Sequence, residues 1–250
     1  MSGPALSALV VAHDEEEQLA DCLEHLHFAD ETVVVLDRCT DGSADIAAKF
    51  GARIVEGAWP IEGDRRNAGI AACTGDWIIE VDADERLPET LAVEIRATIK
   101  SAALGYFLVP FDNYIGRRLV RYGWGASWGV SAAPRLFSKG AKRWGGQRVH
   151  PSLDLQGPKR RLSTPMIHYV DRNVSEMIAR LDRYTTARAQ DLRDNGDIGS
   201  LANNIRRLFS RFLKCYIGRM GYREGAYGIL IALFAGLYPL ISHLKARLDD

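Results

Sequence analysis

Two aspartates one residue apart, Asp82 and Asp84, close the run Trp77-Ile78-Ile79-Glu80-Val81-Asp82-Ala83-Asp84-Glu85. Its apolar start reads as a buried strand. On an extended backbone alternate side chains point the same way, so both carboxylates can converge on one cation. Paired hard-oxygen ligands suit Mg2+ or Mn2+ bridging a diphosphate, with water and phosphate oxygens completing the octahedron. An acidic surface turn would show the same letters, so the reading depends on what the chain places around the pair.

The elements that must position this pair alternate between strand and helix. Leu6 to Ala12 is a continuous apolar run, as a central strand covered on both faces requires. Asp14 is expected to cap the next helix, with Glu17 three residues later and acids at the positive end of the helix dipole. Leu19, Cys22, Leu23 and Leu26 follow at helical spacing. Thr32 to Leu36 is a β-branched strand ending at Asp37. Thr40-Asp41-Gly42-Ser43 turns into a second helix with Ile46, Ala47 and Phe50 expected inward and Gly51 closing it. Arg53 to Glu56 predicts a short strand and Gly63 to Cys73 a helix. Pro88 fits the first turn of a helix running to about Lys100.

This alternation implies an α/β fold with a mostly parallel, doubly wound sheet and right-handed crossovers. Ligands of such sheets bind beyond the strand C-termini. Asp14, Asp37 and the Asp82/Asp84 pair each follow a strand, so all are expected on one rim. Helix-capping aspartates in βα turns would give the same pattern without a ligand.

Composition excludes little but narrows the class. With 32 Lys and Arg against 32 Asp and Glu in 250 residues, no nucleic-acid signature exists. The cysteines, Cys22, Cys39, Cys73 and Cys215, form no CxxC pair, which fits a reducing compartment rather than zinc or a disulfide framework. The run Leu6 to Ala12 is too short and too quickly followed by acids for a leader, so the chemistry is expected on the cytoplasmic side.

Val10-Val11-Ala12-His13-Asp14-Glu15-Glu16, Val34-Val35-Leu36-Asp37-Arg38-Cys39-Thr40-Asp41-Gly42-Ser43, Arg66-Asn67-Ala68-Gly69 and Asp76 to Glu85 resemble, in order and spacing, the family 2 glycosyltransferases. The resemblance is closest to the small subgroup containing the lipopolysaccharide-core β-1,4-glucosyltransferases. It covers residues 5 to 170 well and the remainder loosely. It implies a GT-A nucleotide-diphospho-sugar transferase fold. It also implies that the loop from Ala12 to Glu15 and the acid Asp37 hold the nucleoside, Asp37 facing the base. A carboxylate accepting from the imide N–H of uracil is a sensible reader of a pyrimidine. Asp82 and Asp84 would correspond to the DxD-type motif, with Asp84 the direct metal ligand. Arg66 would approach the donor's phosphates, where a guanidinium pairs bidentately, although a solvated helix arginine beside Arg65 would look the same. His13-Asp14 stands where Lys-Asn is often found.

An inverting transferase needs a base to take the acceptor hydroxyl's proton. Gln147 and Pro151 stand where relatives often present an acid. His150 and Asp154 are the nearest titratable groups, and His150 is the preferred site residue on its ordinary pKa. Between them and the strand at Tyr106 to Phe111 the chain is rich in Gly, Trp, Tyr and Arg. Those residues suit a sugar platform or ordinary loop packing equally.

Residues 1–172 therefore read as the transferase domain and 173–250 as a helical tail. Val174 to Arg193 is amphipathic. Ile205 to Arg223 reads as one basic amphipathic helix, carrying Arg206, Arg207, Arg211, Lys214, Arg219 and Arg223 among large apolar residues, a pattern attracted to anionic lipid. Ala226 to Leu244 is uncharged and borderline for a span; an interfacial or re-entrant helix, or one buried in a dimer, are the alternatives to a crossing. The expectation is an inverting, Mg2+- or Mn2+-dependent enzyme, peripheral or monotopic on the inner face of the cell membrane. It would pass a hexose from a nucleotide-diphosphate sugar, a UDP-sugar in first place, to a lipid-linked or lipopolysaccharide-core saccharide. A sugar-phosphate nucleotidyltransferase and a non-catalytic membrane adaptor on the same fold are the rivals.

Overall fold

Residues 3–125, 128–147 and 151–249 are described by a computed structural model. The elements run β1 (Leu6–Ala12), α1 (Glu16–Glu24), β2 (Glu31–Asp37), α2 (Ser43–Lys49), β3 (Arg53–Gly57), α3 (Glu62–Ala72), β4 (Trp77–Asp82), β5 (Glu85–Arg86) and α4 (Glu89–Ile99). They continue through β6 (Tyr106–Ile115), β7 (Arg118–Leu119), β8 (Ala132–Ser138), β9 (Lys142–Trp144), β10 (Leu153–Leu155), β11 (Lys159–Arg161) and β12 (Met166–Asp171). The helices α5 (Val174–Asp194), α6 (Leu201–Leu213) and α7 (Ala226–Leu248) complete the chain. Two compact units result, one of residues 3–111, 132–147 and 151–168, the other of 112–125, 128–131 and 169–249.

The sheet of the first unit runs in the order β3-β2-β1-β4-β8-β6-β12-β5. The first four strands are parallel, as the alternation predicted. From β4 to β8 and β8 to β6 the pairing turns antiparallel, so the sheet is mixed rather than mostly parallel throughout. The run of seven buried residues in β1 has a direct cause. Leu6, Ala8, Val10 and Ala12 face Leu19, Cys22 and Leu23 of α1 and Leu91, Ile95 and Ile99 of α4. Leu9 and Val11 face the opposite cluster with Val33, Val35 and Ile78. A strand covered on both faces has no solvent side, so its one polar residue, Ser7, is buried and donates its hydroxyl to Glu31.

Gly69 shows how closely α3 lies on that second face. A Cβ there would meet Leu9 Cδ1 at 2.5 Å and Val35 Cγ2 at 2.7 Å. Gly69→Val is expected to destabilise the protein by about 2 kcal/mol or more, the upper part of the overpacking range. A chemical-denaturation midpoint equal to that of the wild type would refute this packing.

Two local expectations need correction. Asp14 does not cap α1. The helix begins at Glu16 without a side-chain cap, and Asp14 takes a left-handed conformation, φ 54°. Its carboxylate instead accepts the Thr40 N–H at 2.7 Å, tying the loop after β1 to the loop after β2. Phe50 does not point inward. It is 42 % exposed because α2 ends at Lys49 and Phe50 is already the residue that leaves the helix.

The second unit has its own core, built from Ile115, Val120, Trp124, Trp128, Met177, Leu181, Cys215, Ile231, Phe234 and Tyr238. Trp124 and Trp128 are therefore core residues, not a sugar platform. Arg180 lies 4.2 Å from the Trp128 ring centroid and pairs with Asp171 at 2.7 Å. The single basic helix expected from Ile205 to Arg223 is broken. After α6 come a π turn at Lys214–Gly218, a left-handed Met220 (φ 57°) and a 3-10 turn at Gly221–Glu224. The break lets Arg219 and Arg223 pack locally, Arg219 against Cys215 and Arg223 over the Tyr122 ring. By length and composition α7 is apolar enough to cross a membrane, yet just over half of its apolar window is buried inside the protein. Gly236 explains part of that burial. A Cβ there would lie 2.6 Å from the Leu208 carbonyl oxygen, so α6 and α7 approach backbone to backbone.

Candidate active site

The C-terminal ends of β2, β1 and β4 lie side by side, with Ala12 opposite Leu36 and Val11 opposite Asp82. That register brings the loops following Ala12, Asp37 and Asp82 to one rim, as the sequence implied. The first two loops are laced together. Glu15 N–H donates to Ser43 Oγ at 3.1 Å, Glu16 N–H to Asp41 Oδ2 at 2.9 Å, and Gly42 N–H to Glu16 Oε2 at 2.8 Å. The His13 ring hydrogen-bonds the Asp37 carbonyl.

Asp37 is almost wholly enclosed, its side chain 1 % exposed. Its carboxylate accepts from Arg38 (Nε 3.0 Å, Nη2 2.9 Å), the Trp59 N–H (3.0 Å) and Arg65 (3.3 Å). Burial opposes its charge, but Arg38, Trp59 N–H and Arg65 together hold it below the usual carboxylate range.

Arg66 is buried, not solvated. It donates to Glu62 at 2.9 Å, to Glu80 at 2.6 Å and to Asp82 at 2.9 Å, and its guanidinium carbon lies 4.8 Å from the Trp144 ring centroid. Asp82 is bracketed by a second guanidinium, that of Arg135 on β8, which also binds Glu85. Lys142 on β9 pairs with Glu80. Burial pulls the Lys142 ammonium down to about 8, and burial of Glu80 is overcome by Lys142, Arg66 and Arg135, which bring its carboxyl to about 2.

Asp84 sits in the turn between β4 and β5 and faces a different set. Its Oδ2 lies 3.5 Å from His168 Nε2, and the register of β12 places His168 opposite Glu85. Ligand atoms of Asp84, Glu85 and His168 all fall within 4.8 Å of one another. Burial opposes a charge on His168, but Asp84 and Glu85 raise its pKa above the ordinary value.

Charge is out of balance here. Five carboxylates (Glu62, Glu80, Asp82, Asp84 and Glu85) gather around three basic side chains, Arg66, Arg135 and Lys142. The excess shows on its neighbours. Glu15 is pushed up to about 7 by burial and then by the charges of Asp84, Asp82 and Asp41. Glu85 is also pushed up to about 7, by burial against the pull of Arg135 and with the help of Asp82 and Asp84. Two carboxylates and an imidazole converging where negative charge is in surplus form a donor set that fits a divalent cation.

This rim stands on the segment that matches the model of glycosyl transferase family 2, residues 7–132. The chain belongs to glycosyl transferase family 2. Along 96 % of its length the transferase is 24 % identical to the lipopolysaccharide core biosynthesis glycosyltransferase LpsC of Rhizobium meliloti, covering 91 % of that protein. It is 23 % identical to the uncharacterized glycosyltransferase RT0209 of Rickettsia typhi, over 97 % of this chain and 86 % of the other. S. aureus TarS (residues 1–349) shares the fold, with TM-score 0.51 and 13 % identity over 75 % of the transferase and 65 % of that chain.

Of the residues singled out from the sequence, Ala12, Glu15, Asp37, Arg66, Asp82 and Asp84 all lie on or beneath this rim. Asp154 is exposed and accepts from Gln156. His150 lies outside the described residues. Sequence reasoning missed Glu85, Arg135, Lys142 and His168. A lone histidine in the apolar strand Met166-Ile167-His168 and a lone arginine in Pro134-Arg135-Leu136-Phe137 were the available signals.

Proposed function

We propose that this transferase moves a hexose from a nucleotide-diphosphate sugar, in first place a UDP-sugar, to a lipid-linked or lipopolysaccharide-core saccharide, inverting the anomeric carbon. The observation that carries the donor half is the convergence of Asp84, Glu85 and His168 beside Asp82, on the rim that also holds Asp37. The acceptor half rests on the likeness to LpsC over nearly the whole chain.

In this reading Asp37 and the loop from Ala12 to Glu15 hold the nucleoside. Arg66, its charge secured by three carboxylates, fixes Asp82 and approaches the diphosphate. Arg135 locks Asp82 and Glu85 in one arrangement. A Mg2+ or Mn2+ held through Asp84, with Asp82, Glu85 and His168 as its neighbours, would neutralise charge developing on the leaving diphosphate. The imidazole in the set favours Mn2+ over Mg2+. His150 keeps its place as an active-site residue on the sequence alone. Purified full-length protein, offered UDP-hexoses and a core-saccharide acceptor, should release UDP only when a divalent ion is added. Release that ignores both metal and acceptor, or no release with any UDP-sugar, would contradict this function.

The workplace we propose is the inner face of the cell membrane, and α6 is the element that supports it. Leu201, Ile205, Phe209 and Leu213 recur every fourth residue and are exposed, Phe209 to 62 %. Arg206, Arg207, Arg211 and Lys214 lie among them. An exposed apolar stripe with basic neighbours suits an anionic lipid surface, each basic residue near it adding about 1 kcal/mol. Cutting the chain at residue 173 would strip Trp124 and Trp128 of their core, so surface changes are the sound test. Phe209→Glu with Leu213→Glu should abolish co-sedimentation with phosphatidylglycerol vesicles while leaving the melting temperature in place. Undiminished co-sedimentation would remove α6 as the docking element.

A further inference from the structure

Arg38 is the first residue past β2 and, with Asp14 and Met220, one of three described non-glycine residues with positive φ, here 54°. From that backbone its guanidinium folds back on the preceding side chain and grips both oxygens of Asp37. A carboxylate offers about four acceptor positions. On Asp37 all four are taken: Oδ1 by Arg38 Nε and the Trp59 N–H, Oδ2 by Arg38 Nη2 and Arg65 Nη1. These partners differ in how easily they leave. The Trp59 donor is backbone and the Arg65 side chain is mostly covered, whereas Arg38 is 52 % exposed. Of the three, Arg38 is the partner that a ligand reaching Asp37 from solvent displaces most readily.

We propose that Arg38 competes with the donor's nucleobase for the edge of Asp37, and thereby narrows the transferase's preference for uracil over cytosine. The inference rests on the reading of Asp37 as the base-facing acid. Uracil presents an imide N–H at its ring edge and must evict the guanidinium to donate to Asp37. Cytosine presents an acceptor nitrogen and a carbonyl oxygen, which a guanidinium can serve without leaving its carboxylate. Arg38 therefore handicaps uridine nucleotides relative to cytidine nucleotides. For a half-exposed ion pair the handicap is about five-fold in affinity.

The test is calorimetric titration of UDP and CDP, with Mn2+ present, into the wild type, Arg38→Ala, Arg38→Lys and Asp37→Asn. Arg38→Ala should tighten UDP by about five-fold and leave CDP unchanged or weaker, so that the UDP-to-CDP preference rises by at least that factor. Arg38→Lys keeps the charge without the two-pronged grip and should fall between. If Arg38→Ala weakens UDP and CDP alike, Arg38 grips a group common to both and the inference is wrong. Asp37→Asn separates the two layers. If folded Asp37→Asn binds UDP as the wild type does, the base-facing reading of Asp37 fails and this inference falls with it. If Asp37→Asn loses UDP but Arg38→Ala leaves the preference unmoved, the inference about Arg38 alone is overturned.

Discussion

Asp84→Ala is expected to lower sugar transfer by about 100- to 1000-fold, the cost of removing one preorganised electrostatic stabiliser from a charge-forming step, with the fold intact. The side chain is 33 % exposed and stands in a turn, so its loss opens no cavity. It also relieves crowding, since the Asp84 charge helps hold both Glu15 and Glu85 at about 7. The melting temperature should therefore stay level or rise as activity disappears. Asp84→Asn keeps the shape and one acceptor oxygen but not the charge, and should be nearly as inactive. An Asp84→Asn protein that retains full transfer would remove Asp84 from the site. Asp82→Asn should behave differently, because Asp82 is tied to Arg66 and Arg135 and its loss takes one carboxylate from each of two buried guanidiniums.

The contrast between these two aspartates also marks where the sequence stops being legible. Their position on a strand end followed from the apolar run before them, and the shared rim followed from parallel β1, β2 and β4. Local signals of this kind carry far, because a strand buried on both faces has few other solutions. The partners of each aspartate were hidden. Arg135 and His168 arrive from β8 and β12, whose place beside β4 and β5 is fixed by antiparallel pairings across 50 residues or more, and Lys142 from β9, which pairs with β10 and reaches Glu80 through its side chain. No spacing rule encodes such a register. The same holds for α7, whose composition fits a membrane span and a buried helix equally. The burial of Ile231, Phe234 and Tyr238 and the close approach of Gly236 to Leu208 decide that much of its surface faces protein. Asp14 was misread for a smaller reason: a helix-capping pattern and a left-handed turn carry the same residue types.

Glu80 is the residue whose removal should cost most in stability. Its side chain is fully buried and receives Arg66 at 2.6 Å, Lys142, and Trp144 Nε1 at 3.4 Å. Glu80→Gln preserves the shape but leaves the cations facing a neutral amide, and should cost about 3–5 kcal/mol at pH 7. The penalty is expected to shrink in acid. The Glu80 pKa falls from the ordinary 4.5 to about 2 on folding, so its stabilisation is complete above pH 4.5 and is lost as pH drops toward 2. Denaturation curves of wild type and variant should therefore converge across that window. A gap that stays constant from pH 7 to pH 2 would show that Glu80 acts through packing alone. Lys142 supplies the complementary test. Burial already holds its ammonium at about 8, so without Glu80 it should surrender its proton near neutrality. Adding Lys142→Met to Glu80→Gln should then recover part of the lost stability, because an apolar side chain in that position avoids burying an amine that has lost its carboxylate. A double variant less stable than Glu80→Gln would mean that Lys142 holds the site together through Pro134 and the aromatic rings rather than through its carboxylate.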